Sequence, residues 1–211
     1  MTAATLRRDY DVVLSDRALG VNVPQRLGQV LWAPMLAMAL MAFPAALALA
    51  IARATLVAQG GPATTVAALG QLVPAAMFLG FATVFAAITF AIARILGVLR
   101  TGGGAVQEAT GRSVQTLRMP ALAKLFIALM AMGMMLILGA VAIHVVIAIQ
   151  ILGGAIDATT AQTYGEWLEG VRRFGASTYL LSIAFGLASI FTVLGFQVVR
   201  IGELPTEIRR T

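Results

Sequence analysis

The chain has 211 residues, 60% of them hydrophobic and 11% charged, and a mean hydropathy of +0.92. Soluble domains average about 45–50% apolar and about 25% charged residues, so the composition predicts an integral membrane protein. The chain contains no cysteine, which excludes disulfides, iron–sulfur clusters and thiolate-bound zinc. We attribute the formal net charge of +6 to arginines at helix ends, which set topology and meet lipid headgroups, and not to nucleic-acid binding.

The N-terminal part leads into the first apolar run. Residues 1–28 are polar and mixed in charge, and they predict a cytoplasmic segment. No apolar run precedes Val30, so we expect the first span to remain as an anchor and not to act as a cleaved signal. The pattern predicts this span over about residues 30–52, with Trp32 as an anchor at the membrane interface.

Three further apolar runs predict spans at about residues 72–93, 125–149 and 179–199. The 25 residues of the third run would extend about 37 Å as a helix, so it should tilt or protrude from a hydrocarbon core of about 30 Å. The predicted fold is an all-α integral membrane protein, with a four-transmembrane-helix bundle and short interfacial amphipathic helices in one membrane domain over residues 1–211.

The connections between spans carry the predicted interfacial helices. In the loop 101–124, the glycine triplet at 102–104 is expected to end the preceding helix, and a short amphipathic helix should follow. In the loop 150–178, apolar side chains share one helical face and charged side chains lie on or near the other. The apolar ones are Tyr164, Trp167, Leu168, Val171 and Phe174, and the charged ones are Glu166, Glu169, Arg172 and Arg173. We expect an interfacial helix here, anchored by Tyr164 and Trp167, or a docking surface for a partner subunit.

Basic residues predict the orientation of the chain in the membrane. The N-terminal segment, the 101–124 loop with its flanks, and the tail 200–211 hold twelve of the fifteen basic residues, leaving Arg53, Arg172 and Arg173 for the other face. Positive residues favour the cytoplasmic side. We therefore expect both termini and the 101–124 loop in the cytoplasm, and the protein in the inner (cytoplasmic) membrane of the cell.

His144, the only histidine in the chain, is the strongest candidate for a cofactor ligand. It should lie in the outer half of the third span. A haem with two histidine ligands would need a second histidine from another chain, or a methionine instead. The alternative is a neutral imidazole that is hydrogen-bonded to a neighbouring helix. We favour that structural role and predict no cofactor, while leaving haem open.

Two methionine groups are the candidate metal ligands. Thioethers suit Cu(I), and the two groups could face each other from the first and third spans. They are Met35, Met38 and Met41 on one span and Met130 and Met134 on the other. Methionine is also a flexible apolar filler, and both groups should lie near the cytoplasmic ends of their spans, away from His144. Packing is therefore the favoured interpretation over a copper site.

Small and polar residues inside the spans predict helix packing. Ser182, Gly186 and Ser189 are spaced four and three apart and form a small-residue face that permits close approach of another helix. If the chain lined a transport path instead, hydroxyl and amide side chains of the second and fourth spans would contribute to it. These are Thr83, Thr89, Ser182, Ser189, Thr192 and Gln197.

The functional prediction follows from the sparse chemistry of the predicted spans. They hold no Asp, Glu, Lys or Arg at mid-depth, although coupled transporters usually keep an intramembrane acid. We therefore expect a non-catalytic accessory subunit of a larger inner-membrane complex (respiratory, oxidising or transport), and not an enzyme in its own right. A channel or transporter subunit is the first alternative, and a haem- or copper-binding subunit the second. The expected partners are the lipid bilayer and other membrane subunits or further copies of the chain.

Overall fold

In a computed structural model, which describes residues 10–15, 20–109, 111 and 114–202, the described chain forms four long helices and one pair of short strands. The elements in order are β1 (Val12–Ser15), α1 (Val23–Ala58), α2 (Ala63–Ala109), β2 (Val114–Leu117), α3 (Ala121–Leu152) and α4 (Ala158–Gly202). Each helix is long and apolar enough to cross a membrane. The predicted all-helical fold class with four long apolar helices is thus confirmed.

Local sequence signals fix where the helices begin. At the start of α1, the Asn22 side chain accepts from the Gln25 N–H at 3.2 Å, and the Gln25 side chain accepts from the Asn22 N–H at 3.1 Å. This reciprocal pair is a capping box. At the start of α4, Asp157 accepts from the Thr160 N–H at 2.7 Å, and this bond lowers the pKa of the Asp157 carboxyl.

Two glycines end helices α1 and α3. Gly60 and Gly154 have φ of 67° and 70°, a left-handed conformation in which glycine carries no steric penalty. After each glycine, the next N–H reaches back to close the helix end, from Gly61 to Leu56 O at 2.8 Å and from Ala155 to Gln150 O at 2.9 Å. These are Schellman ends, and they reduce the connections between helices to a few residues.

The helices are longer than the predicted spans, and short separate interfacial helices are not seen in the described part of the chain. Residues 158–178, where an interfacial helix was predicted, form the first half of the continuous helix α4. The apolar pattern locates only the stretch suited to hydrocarbon, whereas backbone hydrogen bonding continues through polar residues that favour helix. Helix α4 would extend about 67 Å at 1.5 Å per residue.

The prediction that the glycine triplet ends a helix is wrong, because α2 continues through residues 102–104 to Ala109. At Gly103 helix α2 packs closely against α4, since a Cβ atom there would clash with the side chains of Gln197 and Arg200. Glycine is tolerated there for close packing against α4. The short amphipathic helix predicted after the triplet is therefore only an extension of α2, followed by β2.

The strand pair was not predicted from the sequence. Strands β1 and β2 are antiparallel, with Val12 opposite Leu117 and Ser15 opposite Val114. The Arg118 N–H extends the ladder to Asp11 O at 2.9 Å. The segments VVLS and VQTL contain β-branched residues, but they are too short and too far apart in sequence for a pattern to pair them.

The chain divides into two compact units. The first comprises Met1–Trp32, Thr89–Ile127 and Ile183–Thr211, and the second comprises Ala33–Ile88 and Ala128–Ser182. The second unit has a core of small and aliphatic side chains that packs α2, α3 and the start of α4 together. Its members are Ala68, Ala140, Ile147, Ala148, Ile151, Ala161 and Leu168.

Candidate functional site

His144 lies at one end of a buried series of hydrogen bonds in the second unit, with Gln71 in the middle. Its side chain on α3 is only 1% exposed, and its Nδ1 lies 2.6 Å from Gln71 Oε1 on α2. The Gln71 amide nitrogen in turn donates to Ala161 O on α4 at 2.9 Å. Three helices, α2, α3 and α4, are therefore joined through buried polar groups.

These hydrogen bonds fix the tautomer of the His144 imidazole. Because the Gln71 nitrogen donates to a carbonyl, its oxygen faces His144 and accepts, so His144 Nδ1 carries the proton. A neutral ring then has a lone pair on Nε2. That Nε2 is buried and has no hydrogen-bond partner in the described part of the protein. A buried acceptor that is left open in this way requires a functional or structural explanation.

His144 and Gln71 line a cleft of about 720 Å³, which we name the histidine cleft. Its other polar side chains carry balanced charge, with two arginines and two glutamates. Its full lining is Arg53, Ala67, Gly70, Gln71, Pro74, His144, Ala158, Ala161, Gln162, Gly165, Glu166, Glu169 and Arg172. The volume falls within the range of about 300–1,000 Å³ of small-molecule sites.

Arg172 is the residue of this cleft that the sequence pattern misplaced. It was expected on the charged outer face of an interfacial helix, yet it is only 5% exposed. Its guanidinium pairs with Glu169 and lies over the Phe78 ring at 4.7 Å from the centroid, while its Nε and Nη1 have no partner in the described chain. Glutamate three residues before an arginine is the one sequence signal for this pair.

Glu169 is shared between two arginines. Arg173 Nε donates to Glu169 Oε1 at 2.6 Å, and this bond is the main reason that the pKa of the Glu169 carboxyl lies below its ordinary value. The carboxylate is therefore charged at neutral pH and fixes one edge of the Arg172 guanidinium. The other edge of that guanidinium keeps its hydrogen-bonding capacity.

The histidine cleft thus offers both acceptors and donors to a ligand. Among its lining residues, His144 has an acceptor nitrogen, Nε2, that is buried without a partner in the described chain, and Arg53 and Arg172 carry guanidiniums that suit an anionic group. A ligand with a hydroxyl or amino group beside a carboxylate or phosphate matches this set. Among the described residues, no three His, Asp or Glu side chains cluster as metal ligands.

The methionines predicted as copper ligands lie away from this cleft. None of Met35, Met38, Met41, Met130 and Met134 is among its lining residues. Met41 is 74% exposed and Met38 is 46% exposed, whereas the other three are half-buried. The structure brings no methionine to His144 in this cleft, so the copper role stays a prediction without support from the geometry.

The first unit holds a second cavity, the arginine pocket, of about 360 Å³. Of the residues singled out in the sequence, Ser189 and Gln197 line this pocket. Its polar lining is Asn22, Gln25, Arg100, Thr116, Arg118, Ser189, Gln197 and Arg200, and its apolar lining is Leu96, Leu117, Met119, Pro120, Ala123, Val193 and Phe196. No acidic side chain is among these residues, so the pocket is cationic and partly apolar.

The remaining predicted residues take the following places. Ser182 and Ser189 are fully buried and donate to the carbonyls of Tyr179 and Phe185 on their own helix. A Cβ on Gly186 would lie 3.0 Å from the Phe126 ring. These positions suit the predicted packing face on α4.

The aromatic residues predicted as interface anchors differ in their surroundings. The Arg94 guanidinium carbon lies 5.6 Å from the centroid of the Trp32 ring, whereas Tyr164 and Trp167 are 50% and 65% exposed.

Four of the hydroxyls proposed for a transport path, those of Thr83, Ser182, Ser189 and Thr192, bond within their own helix. Thr83 donates to the Leu79 and Gly80 carbonyls, and Thr192 donates to Ala188 O at 3.1 Å. Gln197 instead donates to Leu99 O on α2 at 2.8 Å. Helix back-bonding satisfies such hydroxyls without any functional role, so the clefts are better candidates for ligand binding.

Comparison with protein-family models, with curated proteins and with solved structures finds no match to this chain.

Proposed function

We propose that this chain is a multi-pass inner-membrane protein with both termini and the 101–124 loop in the cytoplasm. Apolar side chains on the helix surfaces support this proposal, since Met41, Met135 and Phe191 are each about three-quarters exposed. Such surfaces suit lipid or an apolar partner better than water. The distribution of basic residues supports the orientation.

Within that membrane, we propose that the protein binds a small polar solute in the histidine cleft and acts as a non-catalytic subunit of a transport assembly. The observation that carries this proposal is the buried His144 ring, whose Nδ1 is hydrogen-bonded to Gln71 while Nε2 is buried without a partner in the described chain. A buried acceptor without a hydrogen bond is costly, so a site that keeps one is a candidate for ligand binding.

The chemistry of the cleft selects the class of solute. A carboxylate or phosphate fits the arginines, and a neighbouring hydroxyl or amino group fits His144 Nε2 and the glutamates. Hydroxy acids, amino acids and small phosphate esters meet these requirements. The residues supply only binding groups, so no reaction step is part of the proposal.

Two variants of His144 separate its two nitrogens. In H144N the amide can replace the Nδ1–H donor toward Gln71 but leaves nothing at the Nε2 position, whereas H144Q places an amide atom near Nε2. We expect solute binding to fall at least about tenfold in H144N and to be partly retained in H144Q. Thermal-shift screening followed by calorimetry on the purified protein would measure this, and equal binding by both variants and wild type would contradict it.

The subunit part of the proposal has a separate test. We expect mild-detergent purification from the native membrane to recover at least one further membrane subunit at a fixed stoichiometry. A monodisperse monomer that retains solute binding and full flux after reconstitution would contradict the subunit role and leave solute binding intact. A visible absorption spectrum and metal analysis of the same sample would test the alternative haem or copper function.

A further inference from the structure

We propose that the arginine pocket binds an anionic amphiphile, a molecule with a phosphate or carboxylate head and an acyl tail. This site lies in the first unit and shares no residue with the histidine cleft. The inference rests on the proposed membrane location for its source of ligand, the anionic phospholipid of the surrounding bilayer. The pocket chemistry itself is independent of solute binding.

The pocket has an excess of positive charge. Arg100, Arg118 and Arg200 line it, and none of its lining residues is acidic. Arg118 has a partner outside the pocket, Asp11, at 3.1 Å, but both side chains are more than 60% exposed and water weakens such pairs. Arg100 and Arg200 have no carboxylate partner among the described side chains, so their charge is available to an anion.

Arg200 is held in place by neutral groups. Arg200 is 6% exposed, and its guanidinium lies 5.2 Å from the centroid of the Phe196 ring. The guanidinium donates to the side-chain amide oxygens of Gln107 and Gln197. Its Nε and that of Arg100 are buried and have no partner in the described chain. A buried cation without a counter-charge is costly, and a bound anionic head would supply that charge.

The rest of the lining selects a molecule with a tail. Beside the arginines lie aliphatic and aromatic groups, including Leu96, Val193 and Phe196. A volume of about 360 Å³ suits a headgroup with the first part of an acyl chain. A free inorganic anion would satisfy the arginines but leave the apolar wall without a partner, so the amphiphile is the better match.

The test compares lipids that differ only in the head. Wild-type protein, delipidated and returned to nanodiscs or detergent, is titrated with phosphatidylglycerol and with phosphatidylcholine of the same chains, and bound lipid is counted by native mass spectrometry. We expect at least about tenfold stronger retention of phosphatidylglycerol. R100M and R200M should each lower this retention at least about tenfold, whereas the matched control R26Q, which removes an exposed arginine outside the pocket, should leave it unchanged.

A second pair of variants distinguishes a loss of lipid binding from a loss of the fold. V193W fills the pocket and keeps both arginines, so it should also abolish retention, and R200K should keep part of it. Equal retention of the two lipids, or an R26Q loss as large as that of R200M, would overturn the proposal. Competition by inorganic phosphate as strong as by phosphatidylglycerol would overturn the amphiphile assignment in favour of a free anion. Carbonate extraction tests the proposed membrane location separately. A protein that stays in the membrane fraction after extraction but shows no lipid preference contradicts this inference and leaves the membrane location intact.

Discussion

At the scale of single residues, the protein is defined by a few polar side chains buried among apolar helices. His144, Arg172 and Arg200 are each at most 6% exposed, and each keeps at least one nitrogen without a partner in the described chain. The sequence identified His144 because it is the only histidine, but charge patterning placed Arg172 on the surface. A pattern assigns a face to a residue and does not reveal which neighbouring helix covers that face.

Replacing Gln71 with leucine tests the buried hydrogen-bonded chain. Q71L leaves the His144 Nδ1–H without its acceptor and removes the donor to Ala161 O. We expect the free energy of unfolding to fall by about 1–3 kcal/mol, measured by denaturant unfolding in detergent. The control is Q162L in the same cleft, because exposed Gln162 makes only a long 3.4 Å bond to Glu166 and should change stability by less than about 0.5 kcal/mol. Equal effects of the two substitutions would contradict the buried hydrogen bonds proposed for Gln71.

At the scale of elements, apolar runs predicted where four helices lie, and capping residues determine where they begin and end. The predicted spans lie within the four helices, but each helix extends beyond its span at both ends. The β1–β2 pair and the extension of α2 through the glycine triplet could not be predicted, because both depend on contacts between segments that are distant in sequence. The histidine cleft was not predicted: His144 was named as a candidate ligand and Glu169 and Arg172 as part of a charged helix face, and only the structure places them in one cleft with Gln71.

Two glycines provide a matched test of close helix approach. A Cβ on Gly28 of α1 would lie 2.6 Å from Phe90 O and 2.9 Å from Arg94 N of α2, whereas a Cβ on Gly102 would meet nothing within 4 Å. We expect G28A to destabilise the protein by about 1–3 kcal/mol, since backbone atoms must move. G102A should be neutral or stabilise by up to about 1 kcal/mol through helix propensity. Thermal unfolding of both variants measures the difference, and a neutral G28A would refute the close approach of α1 to α2.

At the scale of the whole molecule, the central question is how four apolar helices are threaded. The chain contains no cysteine, so single cysteines can be introduced without removing native ones. We expect E108C to be labelled by an impermeant maleimide only after the cells are permeabilised, and Q59C, in the turn after α1, to be labelled in intact cells. Both side chains are exposed. The reverse pattern would invert the proposed orientation, and labelling of both in intact cells would contradict the threading.

The most direct measurement of the solute-binding proposal uses the single histidine. Selective ¹⁵N-histidine labelling gives one imidazole spectrum, from His144 alone. The proposal predicts a neutral ring at neutral pH with the proton on Nδ1 and a lone pair on Nε2, and a change in the Nε2 signal when the matching solute is added. A ring protonated on Nε2, or an Nε2 signal that no hydroxy acid, amino acid or phosphate ester changes, would contradict the proposal.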